Sequence, residues 1–194
     1  MSSDASLRAV IFDMDGTLTR PYLDFRAIRA AIGIPEPLLE NMLELPQGPD
    51  RDRAFAILDR FEEEAAEASE LNDGARDVLS FLGSRGIPSG LVTRNSRRST
   101  DRVLRKHGLS FGMVVTREDA PAKPRPEPIW MICEKLGVRP PHALMVGDFK
   151  FDIAAGRNAG TRTALLTNGK TPSYLKEVPP DHVLERLADL MKLF

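Results

Sequence analysis

The chain of 194 residues contains 42% hydrophobic and 28% charged residues and carries a formal net charge of -1. This composition excludes a disordered or fibrous protein, and the length suits one α/β domain with a modest insertion. The charge shows no basic excess of the kind that binds nucleic acid, and no apolar run approaches the roughly 20 residues of a membrane helix. We therefore expect a protein that binds neither nucleic acid nor membranes.

The N-terminal residues 1–8 lack the basic and apolar segments of a secretory signal. Cys133 is the single cysteine, so an internal disulfide cannot form. It lies in an apolar stretch, which favours a buried, unreactive thiol. These features predict a cytoplasmic protein, and we expect a monomer or a weak homodimer.

The first predicted element is a strand over Ala9–Phe12, whose unbroken apolar run suits a parallel strand buried on both faces. Residues 19–71 then form a helical insertion rich in Glu, Ala and Leu. Apolar residues recur in it at helical spacing, namely Ala54, Ile57, Leu58 and Phe61. Asp50 or Asp52 is predicted to cap the start of this helix. The part before it is divided into short helices by Pro35, Pro37, Pro46 and Pro49.

After residue 71, predicted helices and strands alternate along the chain. The helices cover residues 72–85, 96–107, 128–136, 151–158 and the C-terminus, and Asn72 or Asp73 is predicted to cap the first of them. The strands cover residues 90–93, 113–116, 143–147, 163–166 and 182–184. This alternation predicts an α/β fold with a parallel sheet covered by helices on both faces. We assign residues 1–18 and 72–194 to this core, and residues 19–71 to a helical cap.

Polar side chains follow the predicted strands at their carboxyl ends, where ligands gather in such sheets. Asp13 and Asp15 follow the first strand and point to the same side, while Gly16 permits a sharp turn. Thr93 follows the second strand, and Arg94 and Asn95 lead into a helix whose unpaired N–H groups favour an anion. We therefore predict that Thr93, Arg94 and Asn95 bind a phosphate group.

Two further strands deliver a cation and two acids to the same edge. Lys123 lies among three prolines that restrict its loop, and its ammonium group can pair with an acid and with a phosphate oxygen. Asp148 follows the fourth strand, and Asp152 lies one helical turn later. Carboxylate oxygens are the ligands that Mg²⁺ prefers. A predicted Mg²⁺ site is thus formed by Asp13, Asp15, Asp148 and Asp152.

These motifs resemble those of haloacid dehalogenase superfamily phosphatases with a small helical cap, of the phosphoglycolate phosphatase-like subgroup. Four motifs of that family are matched in order by residues 13–17, Thr93, residues 123–126 and residues 147–152. One departure is Phe149, where relatives often carry a small hydroxyl residue that helps to order the metal site. The resemblance implies a Rossmann-like core, Mg²⁺ as cofactor and a small phosphorylated metabolite as substrate.

The resemblance also implies the mechanism. Asp13 attacks phosphorus and forms an aspartyl phosphate, while Lys123 and Thr93 stabilise the phosphoryl oxygens. Asp15 protonates the leaving oxygen and then activates water, so its pKa is expected to be raised. An acid at this position disfavours a carbon–halogen substrate, since a halide leaves without a proton.

Two alternatives remain open from the sequence, a phosphomutase of sugar phosphates and a catalytically inert protein that binds phosphorylated ligands. The cap residues Arg20, Tyr22, Arg26 and Arg29 could contact a second anionic group of the substrate. A charged face on a cap helix usually contacts only solvent, and we prefer that interpretation here.

Overall fold

The structure, a computed structural model, describes residues 6–194. Six strands form one parallel sheet in the order β3-β2-β1-β4-β5-β6. The strands are β1 (Ala9–Phe12), β2 (Ser89–Val92), β3 (Met113–Val115), β4 (Ala143–Gly147), β5 (Arg162–Leu166) and β6 (His182–Leu184). The predicted α/β architecture is confirmed, and each strand lies within one residue of its expected bounds.

Within residues 6–194, seven α-helices accompany the sheet. They are α1 (Phe25–Ile32), α2 (Leu38–Glu44), α3 (Pro49–Ala68), α4 (Ala75–Ser84), α5 (Arg97–His107), α6 (Glu127–Leu136) and α7 (Lys150–Ala159). The predicted C-terminal helix is a 3-10 helix over Leu187–Leu193, and shorter 3-10 turns span Pro140–His142 and Ser173–Lys176. No helix in residues 6–194 has the length and apolarity needed to cross a bilayer.

Alternate residues of each strand enter two separate cores, as period-two side-chain geometry requires. Val10 and Phe12 of β1 pack under α4 and the C-terminal 3-10 helix. Ala9 and Ile11 face the opposite way, where α6 and α7 cover the sheet. Cys133 of α6 is buried in this second core, and burial raises the pKa of its thiol to about 11, so the expected unreactive thiol is found.

The helices α1 to α3 form the predicted cap, inserted after the first strand. They surround a third apolar cluster, which consists of Ile28, Leu38, Leu39, Met42, Ala54 and Leu58. Ile57, predicted on this apolar stripe, is only half-buried. The exact cap limits of 19 and 71 stay a prediction.

Two predicted helix caps were wrong. Helix α3 follows Gly48 with Pro49 in its first turn, and neither Asp50 nor Asp52 caps it. Proline suits this position because its missing N–H would have no partner there. Helix α4 follows Gly74, whose φ of +81° lets the backbone enter the helix without a side-chain cap.

Candidate active site

The carboxyl ends of β1 and β4 bring acids together around one buried lysine. Asp13, Asp148 and Asp152 each offer an oxygen within 4.8 Å of the others. The Lys123 Nζ atom contacts Oδ1 of Asp13 and lies 2.6 Å from Oδ1 of Asp152. It also donates to the carbonyl oxygen of Val92 at 3.1 Å. These distant chain segments therefore converge as the sequence predicts.

Burial and neighbouring charges shift the pKa values of the lysine and of two of these acids. Burial would lower the pKa of Lys123, but the charges of Asp13 and Asp152 outweigh it and raise the pKa to about 12. Burial raises the pKa of Asp13 well above its usual range, and the neighbouring carboxylates add to the effect of burial. Burial and then the charge of Asp152 raise the pKa of Asp148 to about 7. Burial is the main cause of both raised aspartate pKa values, while the geometry places one ammonium group among three carboxylates.

The turn that follows Asp13 packs closely against Asp148. Gly16 has a φ of +80°, and a Cβ atom built on it would lie 2.1 Å from Oδ2 of Asp148. Only glycine fits this close approach, which confirms the predicted sharp turn. The Thr17 hydroxyl donates to Oδ1 of Asp148 at 3.3 Å, and the Phe149 N–H donates to Oδ2 of Asp152 at 3.0 Å.

The Asp15 carboxylate lies apart from the three clustered acids. Its Oδ2 atom accepts a hydrogen bond of 2.7 Å from Asn95 Nδ2. Burial raises the pKa of Asp15 to about 6, although the Asn95 bond lowers it in part. The raised pKa was expected, whereas metal binding through the Asp15 carboxylate gains no support from the geometry of this cluster.

The predicted phosphate-binding segment is only partly available to a ligand. Thr93 is buried beside the site, and its Oγ1 accepts from the Asn95 N–H at 3.2 Å. The guanidinium of Arg94 pairs with Glu40 of the cap, so phosphate binding by Arg94 stays a prediction that requires this pair to open. Asn95 contacts Asp15 as described, and its role toward phosphate also stays a prediction.

The expectation of unpaired N–H groups at the start of α5 was wrong. The Ser96 N–H donates to Oε2 of Glu62 at 2.9 Å, and the Arg97 N–H donates to Oε2 of Glu118 at 3.1 Å. The Ser99 N–H is accepted by the Ser96 side chain. Carboxylates of the chain itself therefore accept from the Ser96 and Arg97 N–H groups at this helix start.

Several residues of the site region were missed by the sequence analysis. Glu62 is buried and pairs with Arg117, and the charged residue falls on the buried face of α3 that also includes Leu58 and Ala66. A charge at a core position of a helix is a signal that a partner exists. Arg117 additionally pairs with Asp59 at 2.5 Å, which fixes α3 against the core.

Two asparagines hold the turn behind Asp15. Asn72 Nδ2 donates to the carbonyl oxygen of Thr17 at 3.0 Å, and Asn168 Nδ2 donates to that of Gly16 at 2.8 Å. Asn72 Nδ2 also lies 3.0 Å from Asn168 Oδ1. No sequence motif indicates these contacts, because they join Asn72, which follows the cap, to Asn168 in the loop after β5.

Comparison with known proteins assigns the family. A family model described as a haloacid dehalogenase-like hydrolase matches residues 7–160, which include all four acids and Lys123. The chain belongs to the haloacid dehalogenase-like hydrolases. This confirms the family expected from the motifs, and with it the expectation of an enzyme of the phosphatase type.

Relatives of this haloacid dehalogenase-like hydrolase align with most of its length. A haloacid dehalogenase-like hydrolase domain-containing protein of Arabidopsis thaliana is 32% identical, over 96% of this chain and 83% of its own. The N-acetylmuramic acid 6-phosphate phosphatase of Pseudomonas aeruginosa is 32% identical, over 84% and 83%. A crystal structure described as a predicted phosphoglycolate phosphatase from Haemophilus somnus has a TM-score of 0.72 and 23% identity, with 96% and 97% coverage. That likeness shows the shared fold.

Proposed function

We propose that the protein is a Mg²⁺-dependent phosphatase that hydrolyses a small phosphate monoester through an aspartyl phosphate on Asp13. The observation that carries this proposal is the contact of Lys123 Nζ with Asp13 and Asp152, beside the third carboxylate of Asp148. A nucleophile, a fixed cation and a set of hard oxygen ligands thereby share one buried point.

The donor set suits a divalent cation. Asp13, Asp148 and Asp152 supply oxygen ligands, and against the single positive charge of Lys123 they leave a local excess of negative charge when all are ionised. Bound Mg²⁺ would offset that charge and polarise a phosphoryl oxygen. We infer that these three residues hold the ion, while the Asp15 carboxylate serves acid–base chemistry.

The proposed first step is attack of an Asp13 carboxylate oxygen on phosphorus. The new bond joins that oxygen to phosphorus, and the bond from phosphorus to the ester oxygen breaks. The departing oxygen takes a proton from Asp15, whose pKa of about 6 leaves a protonated fraction near neutral pH. An alcohol leaves and the phosphoryl group stays on Asp13.

The proposed second step returns the enzyme to its starting state. Asp15, now ionised, removes a proton from water as the water oxygen attacks phosphorus. The bond between phosphorus and the Asp13 oxygen breaks, which releases inorganic phosphate and regenerates both aspartates. Lys123 and Thr93 are the groups we expect to orient the phosphoryl oxygens in both steps.

The test uses purified protein with p-nitrophenyl phosphate and Mg²⁺, with and without a chelator, beside Asp13→Asn. We expect phosphate release that the chelator and the substitution each abolish. Equal rates for the substituted and wild-type proteins would reject this assignment. Transfer of phosphate to a sugar hydroxyl without release of inorganic phosphate would instead indicate a phosphomutase, and binding without turnover an inert protein.

The partner expected from this proposal is a small phosphorylated metabolite. Cytoplasmic location and a monomeric or weakly dimeric state stay predictions. Size-exclusion chromatography with light scattering measures the second of these.

A further inference from the structure

An ion pair joins the cap to the loop after β2 beside the active site. Arg94 Nη1 lies 2.9 Å from Oε1 of Glu40, and Nη2 lies 2.9 Å from Oε2 of the same carboxylate. Glu40 belongs to α2 of the cap, whereas Arg94 directly follows Thr93. Both side chains are partly buried, and the two parallel hydrogen bonds match the strong, directional geometry of arginine with a carboxylate.

Arg94 is also built into the segments that carry the site. Its Nη1 contacts the carbonyl oxygen of Lys123, and its guanidinium carbon lies 4.8 Å from the ring centre of Phe151. Phe151 directly precedes Asp152 in α7. The guanidinium is therefore fixed between the lysine loop, the acidic helix and the cap, beside the lysine that contacts Asp13.

Glu40 neutralises this cation. Burial would raise the pKa of Glu40, but the hydrogen bonds and charge of Arg94 outweigh it and the pKa is lowered, so Glu40 is ionised at neutral pH. Three other cap arginines also pair with acids: Arg20 with Glu70 and Asp73, Arg29 with Glu36, and Arg60 with Glu64. An anionic leaving group that extends toward the cap would therefore approach the Glu40 carboxylate, which already pairs with Arg94.

We propose that Glu40 and Arg94 are specificity-determining residues that select phosphate monoesters with an uncharged leaving group. An anionic group at this point must displace Glu40 from Arg94 or lie beside its negative charge, and either event weakens binding. A hydroxyl group carries no such penalty. This inference rests on the proposed phosphatase function and names the substrate class within it.

The experiment compares two compounds of equal length, 2-hydroxyethyl phosphate and 2-phosphoglycolate, which differ in a hydroxymethyl group and a carboxylate. Each competes with p-nitrophenyl phosphate in the presence of Mg²⁺, so that compounds that bind without turnover are also measured. Wild type is expected to bind 2-hydroxyethyl phosphate more tightly. Glu40→Gln should shift the ratio of the two inhibition constants toward phosphoglycolate by about tenfold or more, because a charged hydrogen bond becomes available.

Glu36→Gln is the matched control, since it removes a cap carboxylate paired with another arginine and should leave the ratio unchanged. Arg94→Gln combined with Glu40→Gln should abolish the gain, because the cation is then absent. Thermal unfolding checks that each variant is folded. A wild-type preference for phosphoglycolate, or no relative gain in Glu40→Gln, overturns the inference. Absence of any hydrolysis of p-nitrophenyl phosphate instead rejects the proposed function itself.

Discussion

Asn95 donates a hydrogen bond of 2.7 Å from Nδ2 to Oδ2 of Asp15. Asn95 also donates its backbone N–H to Thr93 Oγ1, and Asp15 is not among the three clustered acids. An acid that donates and then removes a proton must keep its position through both steps. The asparagine therefore fits the separation of acid–base and metal-binding roles among these four aspartates.

Asp15→Asn is expected to slow alkyl phosphate hydrolysis by about 100-fold or more, the usual contribution of a positioned acid–base group. Formation of the intermediate from p-nitrophenyl phosphate should be less affected, because nitrophenolate leaves without a proton. Rapid-quench measurement of the nitrophenolate burst checks this. If Asp15→Asn slowed formation of the intermediate equally for p-nitrophenyl phosphate and for an alkyl phosphate, the assignment of Asp15 as the acid would be contradicted.

Mg²⁺ is expected to raise the melting temperature of the wild-type protein, since a ligand that binds only the folded state stabilises it. Asp148→Asn removes one of the three clustered carboxylates and should largely abolish this shift. Asp73→Asn is a control at an exposed acid away from the cluster and should retain it. An equal shift in wild type and Asp148→Asn would place the ion elsewhere.

Glu62→Gln should destabilise the protein by about 3 kcal/mol, because it leaves buried Arg117 with a weakened pair and the Ser96 N–H with a poorer acceptor. Glu63→Gln is the adjacent control. Its partner Arg98 is largely exposed, and exposed pairs contribute at most about 1 kcal/mol. Urea unfolding measures both, and similar losses in the two variants would argue against a special role of Glu62.

Stability should fall with acid through His107. Burial, reinforced by the charges of Lys106 and Arg76, lowers the pKa of His107 below 6.5, so the unfolded chain binds its proton more readily than the folded one. The contribution of His107 to the free energy of unfolding is therefore complete above about pH 6.5, and it decreases as the pH falls toward the pKa of His107 in the folded protein. The difference in unfolding free energy between wild type and His107→Gln should shrink over that range. A difference that is independent of pH would refute this.

The sequence predicted the sheet and the convergence of the site because both depend on strong local signals. Each strand is a short apolar run, and Asp13, Thr93 and Asp148 follow their strands directly. The parallel arrangement then brings them to one edge without further information. Lys123 lies further along the loop between β3 and α6, and its role was predicted from the prolines around it and from the resemblance to the family's motifs.

Contacts between the cap and the core were not predictable, since they join residues far apart in the chain. Glu62 fills the helix start that the sequence assigned to an anion, and Glu40 covers Arg94. The predicted side-chain caps of α3 and α4 were wrong for a local reason. A glycine, Gly48 or Gly74, precedes each helix, and its backbone conformation begins the helix without the side-chain acceptor that we expected.

The most direct test of the central claim is mass spectrometry of protein quenched in acid during turnover of p-nitrophenyl phosphate with Mg²⁺. Asp15→Asn should accumulate the intermediate, because it lacks the base for the second step. We predict one added phosphoryl group on the peptide that contains Asp13, and none in Asp13→Asn. Phosphate release at the wild-type rate by Asp13→Asn, or an adduct on another residue, would contradict the account.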